Sequence, residues 1–263
     1  MQARRERYVG ERPYQDINAA TIDRWVAEGW LWGQPVSHEE YLRATQGDWQ
    51  LLLTPTKPVP AAWYPPLAGA DVLGLASGGG QQMPILTAAG AHCTVLDYSS
   101  AQLESERAVA TREGYDIACC QADMTKPLPF GDSSFDLVIN PVSLCYVRDV
   151  EPIWREVARV LRPGGVLLTG LDTGVNFVVD EAEERIVRGL PFDPIADPEL
   201  MHVLEQEDGG VQFSHTTGEL LGSLLRAGLV LDDLYDDVNE EGRLGKLGIP
   251  SFLAVRAHKG GAA

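Results

Sequence analysis

Val72-Leu73-Gly74-Leu75-Ala76-Ser77-Gly78-Gly79-Gly80, a helical run, and then Cys93-Thr94-Val95-Leu96-Asp97 form the stretch whose reading decides the fold. An apolar strand runs into a glycine-rich turn, a helix follows, and a second strand ends on a carboxylate. Glycine has no Cβ and tolerates positive φ, so such a turn lets backbone approach a ligand closely. Asp97 lies seventeen positions after Gly80. That spacing suits one βαβ unit whose acid accepts hydrogen bonds from ribose hydroxyls. A nucleoside-containing cofactor is therefore expected.

The glycine spacing narrows the choice. A dinucleotide fingerprint places a third glycine after G-x-G-x-x, and here Met83 stands in its place. The turn has no Lys to meet a phosphate, so it is not a P-loop. A cofactor with ribose and no phosphate remains. With these residues the chain resembles the class I S-adenosylmethionine-dependent methyltransferases, in their small-molecule type. Further blocks from 71 to 170 follow the same order: Asp97-Tyr98-Ser99, Gln121-Ala122-Asp123-Met124, Pro127-Leu128-Pro129-Phe130 with Ser134-Phe135-Asp136-Leu137-Val138, and Leu161-Arg162-Pro163-Gly164-Gly165.

The resemblance implies a site. Ala76, Ser77, Gly78 and Gly80 would form the loop under the cofactor. Asp97 would hold the ribose, Tyr98 would lie against adenine, and Asp123 with the backbone of Met124 would read the adenine edge. Asn140 and Val142 would flank the cofactor's sulfur, chiefly through backbone. Two positions depart from the family pattern. Gly74 replaces the usual acid near the end of the first strand, and Ala76 replaces the first glycine of the loop. The cofactor implied is S-adenosyl-L-methionine, leaving as S-adenosyl-L-homocysteine. The fold implied is α/β: a doubly wound, seven-stranded, mostly parallel sheet with an antiparallel last strand, plus an N-terminal helical lid.

A chain of 263 residues, 44% hydrophobic, accommodates one such domain with an appendage. No apolar run reaches the length of a membrane span. Met1-Gln2-Ala3-Arg4-Arg5 lacks the apolar core of a leader peptide. Cys93, Cys119, Cys120 and Cys145 show no metal-binding spacing, so no metal is expected and a reduced, cytoplasmic setting is. The net charge of −17 opposes nucleic acid and anionic membranes, whose binding rests on Lys and Arg. Acids gather at Glu205-Gln206-Glu207-Asp208 and from Asp232 to Glu241. They read either as a solvated face or as attraction for a cationic, amine-bearing substrate. The expected partner is a small-molecule methyl acceptor, and the protein is expected to be a monomer or homodimer.

Along the chain, residues 1–68 form the expected lid, with a helix over 18–28 ended by Gly29 and a proline-rich connection at 54–60. Residues 69–263 form the expected methyltransferase domain, with 172–228 contributing to the substrate wall. Strands are placed near 71–76, 93–97, 116–121, 135–140, 165–171, 229–235 and 251–257. Helices follow Ser99 and Asp149, and Thr216 with Glu219 makes a capping box for another. Adjacent Cys119 and Cys120 should face opposite sides of a strand.

Methyl transfer from a sulfonium is a displacement in which the cofactor brings the reactive carbon and the leaving group. The protein aligns the nucleophile, excludes water, and supplies a base only if the nucleophile arrives protonated. His38 and His215 are the candidate bases, as imidazoles able to take a proton near neutrality. His92 sits at the wrong end of its strand. Tyr14, Trp25 and Trp32 are candidates for the lid lining. Two other readings stay open on sequence alone: a nicotinamide-dependent oxidoreductase on a similar sheet, and a non-catalytic cofactor- or partner-binding protein.

Overall fold

The computed structural model describes residues 12–261, and the leader reading of Met1 to Arg5 lies outside them. The elements run α1 (Tyr14–Ala27), α2 (His38–Thr45), β1 (Asp71–Leu75), α3 (Gln82–Ala88), β2 (His92–Asp97), α4 (Ser100–Glu113), β3 (Ala118–Gln121), β4 (Phe135–Asn140), α5 (Glu151–Val160), β5 (Leu161–Asp172), α6 (Val175–Val178), α7 (Pro198–Glu207), α8 (Thr217–Arg226), β6 (Leu229–Asp237), α9 (Gly242–Lys246) and β7 (Phe252–Lys259). The strands form one sheet in the order β3-β2-β1-β4-β5-β7-β6. β1 to β5 are parallel, while β7 runs antiparallel between β5 and β6. This is the expected sheet, including the inserted last strand.

Alternation along each strand fills two cores, one on each face. Leu73, Leu75, Leu96, Val138 and Leu167 face α5 and α8, where Trp154, Leu220 and Leu224 close the layer. Val72, Val95, Leu137, Ile139 and Leu168 face α3 and α4, meeting Met83, Leu86 and Leu103. Cys120 packs with the first set and Cys119 with the second, on opposite faces as their adjacency requires. On α5, Ile153, Trp154, Val157 and Val160 are all buried, which is the apolar stripe its spacing announces. Because the parallel strands point the same way, their carboxyl ends open onto one set of loops, at the strand-order reversal between β1 and β4.

Residues before β1 behave as two pieces rather than one appendage. Leu51, Leu53, Val59 and Trp63 are buried in the same core as α3 and β1. The Asp237 carboxylate at the end of β6 accepts from the backbone N–H of Thr56 (2.8 Å) and Lys57 (3.1 Å), and Trp63 Nε1 donates to Asp233 (3.1 Å). The expected division at residue 68 is thus not a packing boundary. The earlier piece, α1 and the turn after it, lies across the loop ends, and residues 48–55 of the later piece line the larger cavity there. There Asn18 donates to the carbonyls of Tyr146 (3.2 Å) and Val211 (3.0 Å), and accepts from Val211 N–H (2.7 Å). No helix among the described residues is long and apolar enough to cross a membrane.

Candidate active site

Two cavities meet at the carboxyl end of the sheet. The smaller, about 120 Å³, is walled by Asp97, Tyr98, Ser99, Asp123 and Met124 under α1. The larger, about 1010 Å³, extends from Ala76, Gly78 and Gln82 past Trp30, Trp32 and Trp49 to Asp172, Phe177 and Phe252. Trp30, Ala76, Gln102, Val142 and Tyr146 border both, so the two form one continuous site.

The glycine turn is held by its neighbours. Ala76 adopts φ +47°, a left-handed conformation rare for a residue with a Cβ, and its N–H donates to Leu96 O (2.8 Å). Gly78 N–H donates to Asp97 Oδ2 (3.0 Å), and a Cβ at Gly78 would sit 2.7 Å from Gln102 Cβ. Any larger residue there would push the turn off the acid. The departure at Gly74 has its own cause. A Cβ there would meet Met83 Sδ at 2.9 Å, so the methionine that breaks the dinucleotide pattern occupies the space an acid would need.

Asp97 is buried, with Oδ1 accepting from Ser99 N–H (2.9 Å) and Oδ2 from Gly78 N–H. Burial nonetheless outweighs these bonds and pushes its pKa up to about 6, with nearby Asp23 adding to the rise. The pocket therefore supplies too few donors for this carboxylate, and two vicinal hydroxyls would complete its shell. Gln102 Oε1, buried between the cavities, likewise has no hydrogen-bond partner among the described residues. Bare backbone, an under-satisfied acid and an adjoining adenine-sized recess fit a nucleoside.

Other expected residues are distributed as follows. Met124 and Val142 line the cavities, as does Tyr98, whose hydroxyl donates to Asp16 of α1 (2.6 Å). Asp123 lines the smaller one, with Oδ1 accepting from Thr125 N–H (2.8 Å) and hydroxyl (2.7 Å). Ser77 turns inward, its hydroxyl donating to Gln82 (2.9 Å). Asn140 is wholly buried and ties strand ends together. Its amide donates to Leu75 O (2.8 Å) and Ser143 Oγ (2.8 Å), and its oxygen accepts from Thr169 (3.0 Å).

Five of the expected cofactor-binding and base residues border neither cavity, Ser77 and Asn140 among them. Gly80 borders neither cavity: its N–H donates to Glu106 (2.8 Å), its carbonyl accepts from Val36 (2.9 Å), and it faces Val109 and Pro35. His38 is an exposed partner of Glu113 (2.7 Å) on the outer side of α2, bordering neither cavity. His215 is buried outside both cavities, its Nε2 bonded to the carbonyls of Val147 (2.9 Å) and Leu144 (3.2 Å), and holds the chain before α8. Neither histidine is placed to take a proton from a ligand. In the N-terminal piece, Trp30 rather than Trp25 reaches the site, with the Trp25 ring tilted against it at 5.2 Å between centroids. Trp32 does line the larger cavity, whereas Tyr14 packs edge-on against Phe213.

Asp172 and Gln102 were not among the expected residues. Asp172 ends β5 at the carboxyl edge, and an acid closing an apolar strand was the signal available. Burial raises its pKa to about 6. Gln102 lies in the first turn of α4, and no local pattern shows that its side chain turns into the site.

Residues 73–169 match the methyltransferase domain family. The chain is 37% identical over 227 residues to the uncharacterized methyltransferase YbaJ of Bacillus subtilis, covering 84% of this chain and 89% of that protein. It is 38% identical over 125 residues to a demethylmenaquinone methyltransferase of Mycobacterium bovis, which is 47% of this chain and 50% of the relative. The crystal structure of an S-adenosylmethionine-dependent methyltransferase from Mesorhizobium loti superposes with a TM-score of 0.60 at 25% identity, over 75% of this chain and 94% of that one. With the glycine turn, the buried acid at the end of β2 and this sheet order in place, the chain belongs to the class I S-adenosylmethionine-dependent methyltransferases.

Proposed function

We propose that the larger cavity holds a small-molecule acceptor, and that the methyl group passes to it in line at the junction of the two cavities. The observation that carries this reading is their continuity through Trp30, Ala76, Gln102, Val142 and Tyr146. When bound, S-adenosylmethionine supplies an electrophilic methyl carbon and a good leaving group. The rest falls to the chain. Asp97, Asp123 and the glycine turn fix the nucleoside end. Gln102 Oε1 and the backbone around Val142 orient what lies between the cavities. Trp30 and Tyr146 wall the junction against water. Holding two reactants at such a junction can supply up to ~7–11 kcal/mol of the barrier reduction. A reduced compartment such as the cytoplasm suits the four free cysteines.

Calorimetry tests the cofactor end. S-adenosylhomocysteine should bind, NAD should not, and Asp97→Ala should weaken binding roughly ten- to a hundred-fold, as for ~1.5–3 kcal/mol of hydrogen bonds to a charged group. Transfer of a labelled methyl group from S-adenosylmethionine to fractions of a cell extract tests the acceptor end. Label should enter the fraction below about 1 kDa, and label confined to protein or RNA would refute the reading.

A further inference from the structure

We propose that the acceptor carries a protonated amine, and that Asp172 anchors it among the faces of Tyr146, Phe177 and Phe252. This rests on the small-molecule reading above and names the class of molecule.

The geometry begins at the end of β5. Asp172 lies directly opposite Phe252 on the antiparallel neighbour β7, so the two side chains share one face of the sheet. Phe177 follows on α6, one short turn later, and Tyr146 borders the same space from the loop after β4. Oδ1 of Asp172 accepts from Gly174 N–H at 2.5 Å. Oδ2 has only a 3.5 Å approach from the Asn176 amide, at the limit of a hydrogen bond. One oxygen is therefore available to a strong donor from the cavity.

The surroundings select the charge of that donor. Among the described residues Asp172 has no cationic partner. The titratable groups beside it are Cys145 and Tyr146, both raised far by burial and so neutral at physiological pH. A second carboxylate, Glu240, lines the same space, on a turn tied to α6 by the bond from Asn239 to Asn176 (2.7 Å). Asp48 and Glu40 line the cavity farther out. Among the described residues Arg43 is the one cation of the lining, and it lies beside Glu40. An anionic acceptor would meet like charge. A neutral apolar one would leave Asp172 desolvated with nothing to offset it. An ammonium group satisfies the open oxygen and also gains from aromatic faces, whose π-clouds attract cations once water is excluded. The net charge of −17 draws such a molecule toward the mouth.

The cofactor's own sulfonium is a rival occupant, and the experiment separates the two. With S-adenosylhomocysteine saturating, binding of 2-phenylethylammonium is compared with that of neutral 2-phenylethanol by calorimetry at pH 7.5. The ammonium should bind at least tenfold more tightly. Asp172→Asn should abolish this preference while leaving S-adenosylhomocysteine affinity within twofold, which also reports that the variant is folded. Glu240→Gln should reduce the preference by a smaller factor. In the unaltered protein the ammonium should be lost as pH falls from 7 to 5, because the anchor is ionised only above its raised pKa of about 6. Should Asp172→Asn not fold, the Glu240 variant and this pH profile carry the test. Equal binding of the two probes, no binding of the ammonium, or a preference that survives Asp172→Asn overturns the proposal. So does an Asp172→Asn variant that loses S-adenosylmethionine at least tenfold more than S-adenosylhomocysteine, since the carboxylate would then face the sulfonium. Failure of the cofactor reading would show separately, as absent S-adenosylhomocysteine binding.

Discussion

Glu106 shows how one buried acid shapes a turn without adding charge to it. It is fully buried in α4, with Oε2 accepting the Gly80 N–H, and burial raises its pKa to about 8, helped by the charge of Asp97. Near neutrality it is mostly protonated, so Asp97 is spared a second negative charge behind the turn. A carboxyl whose folded pKa lies above its unfolded value binds more protons when folded. Its stabilising contribution is therefore complete below pH ~4.5 and disappears as pH rises through 8. Glu106→Gln keeps an acceptor for Gly80 and never ionises. Urea unfolding should find it more stable than the parent at pH 9, by about 1–3 kcal/mol, and nearly equal at pH 5. A difference that does not change with pH would show that ionisation of Glu106 plays no part.

At the scale of elements, helix termini carry much of the site. Ser99 caps α4 by accepting the Gln102 N–H (3.1 Å), but the reciprocal half of a capping box is absent because the Gln102 side chain turns to the cavities. The missing acid comes from another element. Asp23 of α1 accepts from Ser99 Oγ (2.5 Å), Ser100 Oγ (3.0 Å) and Ala101 N–H (3.0 Å), placing negative charge at the helix N-terminus. Asp23→Ala should lower stability by about 1–2 kcal/mol in thermal unfolding and weaken S-adenosylhomocysteine several-fold, because the first turn of α4 bears both Ser99 and Gln102. Elements were readable where the signal is local. The seven strands follow from alternation, α5 from its stripe, and α8 from Thr216 and Glu219, which form the full box. β5 begins at Leu161, ahead of the expected 165, because the chain leaves α5 already extended and pairs with Phe135. What escaped was tertiary. His215 finds its acceptors 68 and 71 positions away, and no window around it contains them. Gly80 belongs to a recognisable motif, yet Glu106 and Val36 turn it from the ligand.

Across the whole molecule, the glycine turn and the acids at the strand ends were legible because each is a short local run of residues. The acceptor wall was not, because it is gathered from distant segments around Trp30, Trp49, Asp172 and Phe252. Within the segment expected to act as a lid, α1 is tied down by many bonds. α1 bonds through Asn18, Asp23, Asp16 and Gln15 to the loops after β4, β2 and β3 and to the segment before α8. The rim at Leu31, Trp32 and Leu52, by contrast, is exposed. Slow amide exchange should therefore extend from the sheet into residues 14–27, while residues 30–34 should exchange orders of magnitude faster. Molecules would come and go by small excursions at this rim, and the helix above the nucleoside recess would stay in place through every turnover.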